Sequence, residues 1–266
     1  MQTQLASQLK SIHVANADVM DYSSILFSPK EASKYNIQSI YSIGRNGIME
    51  LIRIDERFQR FDNTLFGNRI LSTNRDTLTA SENKEIDDLV RDYLFSVSPY
   101  MLLKCVQKTL EYMIRRLSIH TFNAEDFFLA VLPYHESTLF PRVFKILKLN
   151  SPLFGFLEKV KTTDTPVVRQ TLSEQCLKDP AFLDFILSGI RRLNTAGTVP
   201  VVHLTLVCSL VIDITRAGTF KEQMVRSLIG FASVGFGSTN TEFQATSLLI
   251  LSQIAINVTL NNEIIT

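Results

Sequence analysis

The sequence predicts an all-α fold, an α-solenoid of helical hairpins that is irregular in its N-terminal half. Three observations carry this expectation. Apolar residues recur at steps of three and four along most of the chain, as they must where one face of a 3.6-residue helix is buried. Helix-start signals, a Ser or Asp followed by Pro, recur at Ser28, Ser98, Ser151 and Asp179. No useful length alternates apolar and polar residues with period two, and no Asn-Gly or Asp-Gly turn lies between apolar runs, so little or no sheet is expected. The 266 residues, 45% of them hydrophobic, can bury a substantial core. Phe 18 with Trp 0 points to aromatics that fill core space, and Gly 10 with Pro 8 to long helices joined by short turns.

Taken in order, a helix is expected over 2–17, then over 28–34, where Ser28-Pro29 is followed by Glu31, and over 36–54. Asn46-Gly47 interrupts that third helical pattern, and the glycines of SIGRNG read as a helix end or interhelix turn. Residues 61–81 form a polar, weakly periodic run and are expected to cross between helices as a mobile loop. The clearest helix covers 81–97, with Ile86, Leu89, Val90, Tyr93, Leu94 and Val97 on one face. Further helices are expected over 98–118, 123–132, 137–148, 151–160 and 164–176. From Asp179 the helices pair, 179–194 with 198–216 and 219–235 with 239–260, a spacing near the ~40 residues of HEAT-type units. The chain is therefore read as one continuous domain, an irregular helical region over 1–178 followed by HEAT-like pairs over 179–266. The apolar Ile264-Ile265-Thr266 end lacks a polar cap, which reads as a solenoid cut before its next repeat.

Charge and motifs narrow the function. Lys and Arg number 27 against 26 Asp and Glu, so no global field draws in nucleic acid or an anionic membrane; RNA contact would need a local patch. The most apolar stretch, Val199 to Thr215, is broken by His203 and Asp213 and is too short to cross a bilayer, so it reads as a core helix. The N-terminus lacks the pattern of a secretory or transit segment. Cys105, Cys176 and Cys208 are isolated among apolar residues, which suits reduced thiols in a cytosolic or nuclear protein.

No catalytic, metal or cofactor site is expected. His13, His120, His135 and His203 are scattered without metal-ligand spacing. Tyr134, His135, Glu136 and Ser137 cluster in sequence, but neighbours in sequence rarely converge on one reacting atom, and Ser137 reads as the N-cap of the next helix. The GFGST loop from Gly235 lacks the strand and the Lys of a phosphate loop. Asn257-Val258-Thr259 matches a glycosylation triplet by letter alone. The basic pairs Arg115-Arg116 and Arg191-Arg192 lie near helix C-termini, where they suit the helix dipole; contact with RNA phosphate is the alternative.

The stretch from Ser96 to Leu149 carries a resemblance. The run of Leu110, Glu111, Ile114, Arg115, Arg116, Ile119, His120 and Asn123, followed by LPYHES at Leu132 to Ser137, resembles the N-terminal region of the large HEAT-repeat subunit of the UtpA (t-UTP) subcomplex of the small-subunit processome. Upstream, ILFSPKEAS from Ile25, the stretch from Ile40 to Leu51, and Phe61 with Thr64-Leu65-Phe66 look like it too. The resemblance covers roughly residues 1–195; Tyr112 and Leu117 stand where the family favours Trp and Phe.

The resemblance implies a nucleolar scaffold segment in pre-rRNA transcription and small-subunit rRNA maturation. Implied partners are other UtpA subunits, especially WD-repeat proteins through helical C-terminal parts, with pre-rRNA contacted directly or indirectly. No membrane or small-molecule substrate is implied. Candidate partner-binding residues are Arg115, Arg116, His120, His135 and Glu136, and candidate RNA-binding residues are Arg191 and Arg192.

Overall fold

The computed structural model describes residues 23–67, 70, 73–194, 199–218 and 220–257. The helix expected over 2–17, His13 and residues 258–266 lie outside them. Among the described residues all regular structure is helical, arranged as an α-solenoid.

The N-terminal half opens with α1 (Pro29–Ala32) and α2 (Ile37–Ile54). Pro29 occupies the first turn of α1, and the Glu31 carboxylate accepts from the Ser28 N–H at 3.0 Å. Asn36 caps α2 by accepting from the Ser39 N–H at 2.8 Å. The short α3 (Gln59–Asp62) precedes α4 (Ala80–Val97), which a Thr79–Glu82 capping box starts. Four of the six residues expected on the buried face of α4 are wholly buried, Ile86 is 8% exposed and Leu89 is half-buried.

Beyond α4 come α5 (Lys104–Leu117), α6 (Ile119–Phe122), α7 (Ala124–Val131), α8 (Leu139–Ile146) and α9 (Glu158–Thr163). The helix expected over 98–118 is broken. Residues Ser98–Tyr100 form a 3-10 turn, and the Ser98 hydroxyl donates back to the Phe95 carbonyl, so Ser98 closes α4 instead of starting a helix. The 164–176 helix starts late, at Arg169, as α10 (Arg169–Lys178). Pro166 disfavours helix in the residue before it, and Val167 is held to His135 by its N–H, which donates to the His135 carbonyl at 2.8 Å.

The glycines of SIGRNG correct the reading of a helix end or turn. Gly44 and Gly47 lie in the middle of α2 and are buried. A Cβ on Gly44 would lie 2.5 Å from Tyr112 Cβ, and one on Gly47 would lie 2.6 Å from the Cys105 carbonyl oxygen. One turn apart on one face, they let the backbones of α2 and α5 meet closely. Overpacking by the Gly44→Ala methyl group against an atom fixed to the α5 backbone is expected to cost about 2–3 kcal/mol, against the ~1 kcal/mol that Ala gains in a helix interior, a net loss of about 1–2 kcal/mol. Urea denaturation measures this, and an unchanged midpoint would show that separating the two helices costs no more than the ~1 kcal/mol that Ala gains.

The C-terminal half is regular: α10, α11 (Pro180–Asn194), α12 (Val201–Arg216), α13 (Glu222–Phe236) and α14 (Thr241–Asn257). Asp179 starts α11 as expected, its carboxylate accepting from the Ala181 N–H at 3.0 Å. The main neighbours of α11 are α10 and α13, those of α12 are α10 and α14, and α13 packs on α14. Successive helices thus alternate between two layers. The halves share one hydrophobic core running from Ile25 to Ile254. His203 of α12 helps to join them: it is buried, its ring lies 5.3 Å from that of Phe95, and its Nε2–H donates to the Leu129 carbonyl at 3.0 Å.

The run 61–81 is packed where it is described, contrary to the expected mobile loop. Phe61, Leu65 and Phe66 are at most 1% exposed and Arg75 is 4% exposed. Phe61 and Phe66 meet the Tyr93 ring at 5.0 and 5.7 Å. Phe61 lies in the short α3, Leu65 and Phe66 in the turn after it and Arg75 in a 3-10 turn, so no continuous helical period announces them.

The thiols of Cys105 and Cys176 are buried, that of Cys208 is partly so, and all three are free. Burial pushes the Cys176 thiol up to about 12, which keeps it protonated. No helix among the described residues is long and apolar enough to cross a membrane.

Candidate functional site

Arg115, Arg116 and His120 of the Ser96–Leu149 stretch converge where α5 ends. Ser118 takes the left-handed conformation, φ 48°, and turns the chain into α6. In the last turn of α5 the Arg115 Nη1–H donates to the Ala32 carbonyl at 3.1 Å. Arg116 donates from Nε to the Ile70 carbonyl at 3.2 Å and from Nη2 to the Thr73 carbonyl at 2.5 Å. His120 is buried, and its carbonyl accepts from the Lys148 N–H at 3.0 Å. Arg115, Arg116 and His120 line one cavity of about 730 Å³, between the 33–40 stretch and the α5–α6 junction.

Arg192 lines a second cavity of about 340 Å³, which shares Thr121, Phe122 and Lys148 with the first. Its Nη2 lies 3.7 Å from an Asp126 carboxylate oxygen, while the other oxygen accepts from Arg91 Nε at 2.9 Å. Arg191 lines neither cavity. It is half-buried, with Nη1 3.8 Å from where a Cβ on Gly230 would stand, so the Arg191-Arg192 pair splits between α13 and the Asp126 side.

His135 and Glu136 line a different cavity, of about 290 Å³, beside α12. The His135 Nδ1–H donates to the Val167 carbonyl at 2.6 Å, which fixes the tautomer. Glu136 is exposed, and its carboxylate accepts from the Arg169 N–H at 3.2 Å, at the first turn of α10. Ser137 is not the N-cap of α8: Thr138 holds that position, and the Ser137 hydroxyl donates to the Tyr134 carbonyl at 2.7 Å. The Ser137 donor thus closes the Leu132–Tyr134 3-10 turn, while the Glu136 acceptor braces the start of α10.

Three buried charged groups among the described residues, Arg75, Glu111 and Asp126, escaped the sequence reading. Arg75 donates to the Leu117 carbonyl at 3.3 Å, to Asn123 Oδ1 at 3.0 Å and to Asn83 Oδ1 at 3.1 Å, pairs with Asp87, and lies 4.2 Å from the Phe122 ring centre. Glu111 accepts from the Ser24 hydroxyl at 2.9 Å and the Ile25 and Leu26 N–H groups at 3.0 and 3.2 Å. Burial raises the Glu111 carboxyl above its ordinary range, opposed by those donors and by Arg115. Asp126 is the third, 7% exposed between Arg91 and Arg192. The one hint in sequence is that Arg75 is followed by Asn83 and Asp87, one and two turns into α4.

Among the described residues no group of three or more His, Cys, Asp or Glu is placed to hold a metal ion. Chemically, the arrangement offers grooves with mixed apolar and cationic walls.

No family model matches the chain. Individual relatives do. HEAT repeat-containing protein 1 from Homo sapiens is 30% identical over 278 aligned positions that take in 99% of the chain and 13% of the relative. The HEAT repeat-containing protein 1 homolog of Dictyostelium discoideum is 31% identical over 91% of the chain and 11% of the relative. The chain belongs to the HEAT repeat-containing protein 1 family. U3 small nucleolar RNA-associated protein 10 from Yarrowia lipolytica is also similar, 29% identical over 66% of the chain and 11% of the relative. The chain spans about an eighth of the length of the curated relatives it matches. Within the run that carried the family resemblance, Asn123 holds Arg75, Glu111 holds the Ser24 hydroxyl and the Ile25 and Leu26 N–H groups, and Arg115 and Arg116 hold the carbonyls of Ala32, Ile70 and Thr73.

Proposed function

We propose that this chain is a non-catalytic scaffold segment of ribosome biogenesis, working in the nucleolus, that docks another UtpA subunit within the small-subunit processome and so supports pre-rRNA transcription and small-subunit rRNA maturation. The observation that carries this reading is the similarity to HEAT repeat-containing protein 1 over 99% of this chain, joined to a relative whose name ties it to U3 small nucleolar RNA. An α-solenoid supports it physically, since stacked helices hold a partner along an extended surface through many small contacts. We read the chain as one continuous domain, with HEAT-like pairs over 179–266. His135 and Glu136 act as structural donors and acceptors in this reading, each already engaged with a different backbone group.

A pull-down of purified UtpA subunits, including the helical C-terminal parts of its WD-repeat proteins, is expected to retain at least one of them. Retention of none would overturn the docking role. Direct pre-rRNA binding is the second reading, favoured by the meeting of the Arg115–Arg116 and Arg192 cavities at Phe122 and Lys148. RNA affinity would then fall steeply as salt rises, and an affinity indifferent to salt would remove phosphate contact as its basis.

A further inference from the structure

We propose that the cavity at the α5–α6 junction takes a short acidic peptide segment with a bulky aliphatic or aromatic anchor, supplied by a protein partner. This deepens the docking reading and rests on it. The walls are more apolar than polar, with Tyr35, Ile37 and Phe122 37%, 47% and 40% exposed over a floor of buried Ile40 and half-hidden neighbours. Exposed apolar side chains gathered around a concave surface are what an inserted side chain covers. At about 730 Å³ the cavity is in the size range of ligand sites and accommodates a few side chains.

Charge selects the occupant. Lys34, Arg115, Arg116 and Lys148 line the cavity against Asp76, the one acid among its described lining residues. The N-terminus of α2 opens into the same place, through Asn36 and Ile37, and its first turn carries no acidic residue. The positive end of an 18-residue helix therefore adds to the four cations. A segment bearing Asp or Glu beside its anchor complements both the field and the apolar wall.

The same geometry disfavours RNA. The Arg116 Nε and Nη2 donors and the Arg115 Nη1 donor point at main-chain carbonyls, so these guanidiniums contribute field but not a free fork for phosphate. Nucleobases need aromatic faces. Tyr35 already stacks on Phe27, ring centres 4.4 Å apart, and Phe122 carries the Arg75 guanidinium at 4.2 Å.

The test selects a randomised 12-residue peptide display library against the full chain. It then measures the selected peptides, and a labelled oligouridine, on the wild type and on Ile37→Asp and Lys34→Glu. Both positions are exposed, and an acid at the first position of α2 favours the helix, so both variants should keep the wild-type circular dichroism and Tm. The expected result is enrichment of Asp or Glu next to Leu or Phe, with affinity reduced about tenfold or more in each variant. No selected binder, binders without acidic enrichment, or binders indifferent to both substitutions would overturn the proposal. Oligouridine binding that the same substitutions abolish would overturn it in favour of RNA. A chain that retains UtpA subunits but yields no groove-dependent peptide loses only this proposal; one that binds selected peptides here and retains no subunit loses only the docking reading.

Discussion

Arg75→Ala is expected to cost about 3–5 kcal/mol of stability, the range for breaking a buried ion pair from one side. The Arg75 side chain is 2% exposed and joins four places: Asn83 and Asp87 of α4, the Leu117 carbonyl at the end of α5, and Asn123 ahead of α7. Removing it leaves the Leu117 carbonyl and the Asn123 amide oxygen without this donor in a buried setting, where an unmade hydrogen bond costs its desolvation in full. It also uncovers one face of Phe122. Arg75→Lys should recover only part of the loss, because an ammonium group cannot reach a fork of acceptors lying in different directions. Denaturant midpoints at constant m-value measure both. A change within about 1 kcal/mol for Arg75→Ala, the scale of an exposed pair, would show that the residue is a surface contact after all.

The second large effect is a loss of stability in acid traceable to His203. Burial lowers the His203 imidazole to about 4, against the partial opposition of the Leu129 carbonyl. Its Nε2–H faces that carbonyl, and Nδ1 has no hydrogen-bond partner among the described residues. The neutral ring is therefore the form that fits between α12 and α7. The unfolded chain, with an ordinary imidazole near 6.5, takes up a proton first as pH falls. Stability is unaffected by this group above about 6.5, declines between 6.5 and 4, and levels off below, a total of about 3 kcal/mol at ~1.4 kcal/mol per unit. His203→Gln keeps a donor for Leu129 without the titration. The difference between wild type and His203→Gln in urea midpoints from pH 7.5 to 4 isolates the group from the carboxylates. Parallel curves would mean that the folded protein accepts the charged ring.

His203 ties the two halves of the fold together, whereas Arg75 ties α4, the end of α5 and the turn before α7 within the N-terminal half, and the two differ in how far the sequence announced them. His203 falls in an apolar helical run whose burial was legible from its composition, so its place in a core was expected. Arg75 sits in a run with no period, and its burial depends on acceptors up to 48 positions away. Glu111 shows the same limit from inside a helix. With Lys104, Lys108 and Arg115 it falls on what reads as the solvated side of α5, yet the 23–27 segment folds over it and makes it wholly buried.

What the sequence by itself determined was most of the longer helices among the described residues, most of their starts, the reduced thiols and the family. These are local or compositional properties: a 3.6-residue period, a capping side chain and a run of matched residues are all readable within a few turns. What only the tertiary structure decided was which polar side chains lose water, that Gly44 and Gly47 serve a helix crossing, and that Arg115, Arg116 and Arg192 border adjoining cavities while Arg191 turns away. The physical reason is that periodicity reports which face of one helix is apolar, whereas desolvation and groove shape depend on which distant segment comes to cover that face.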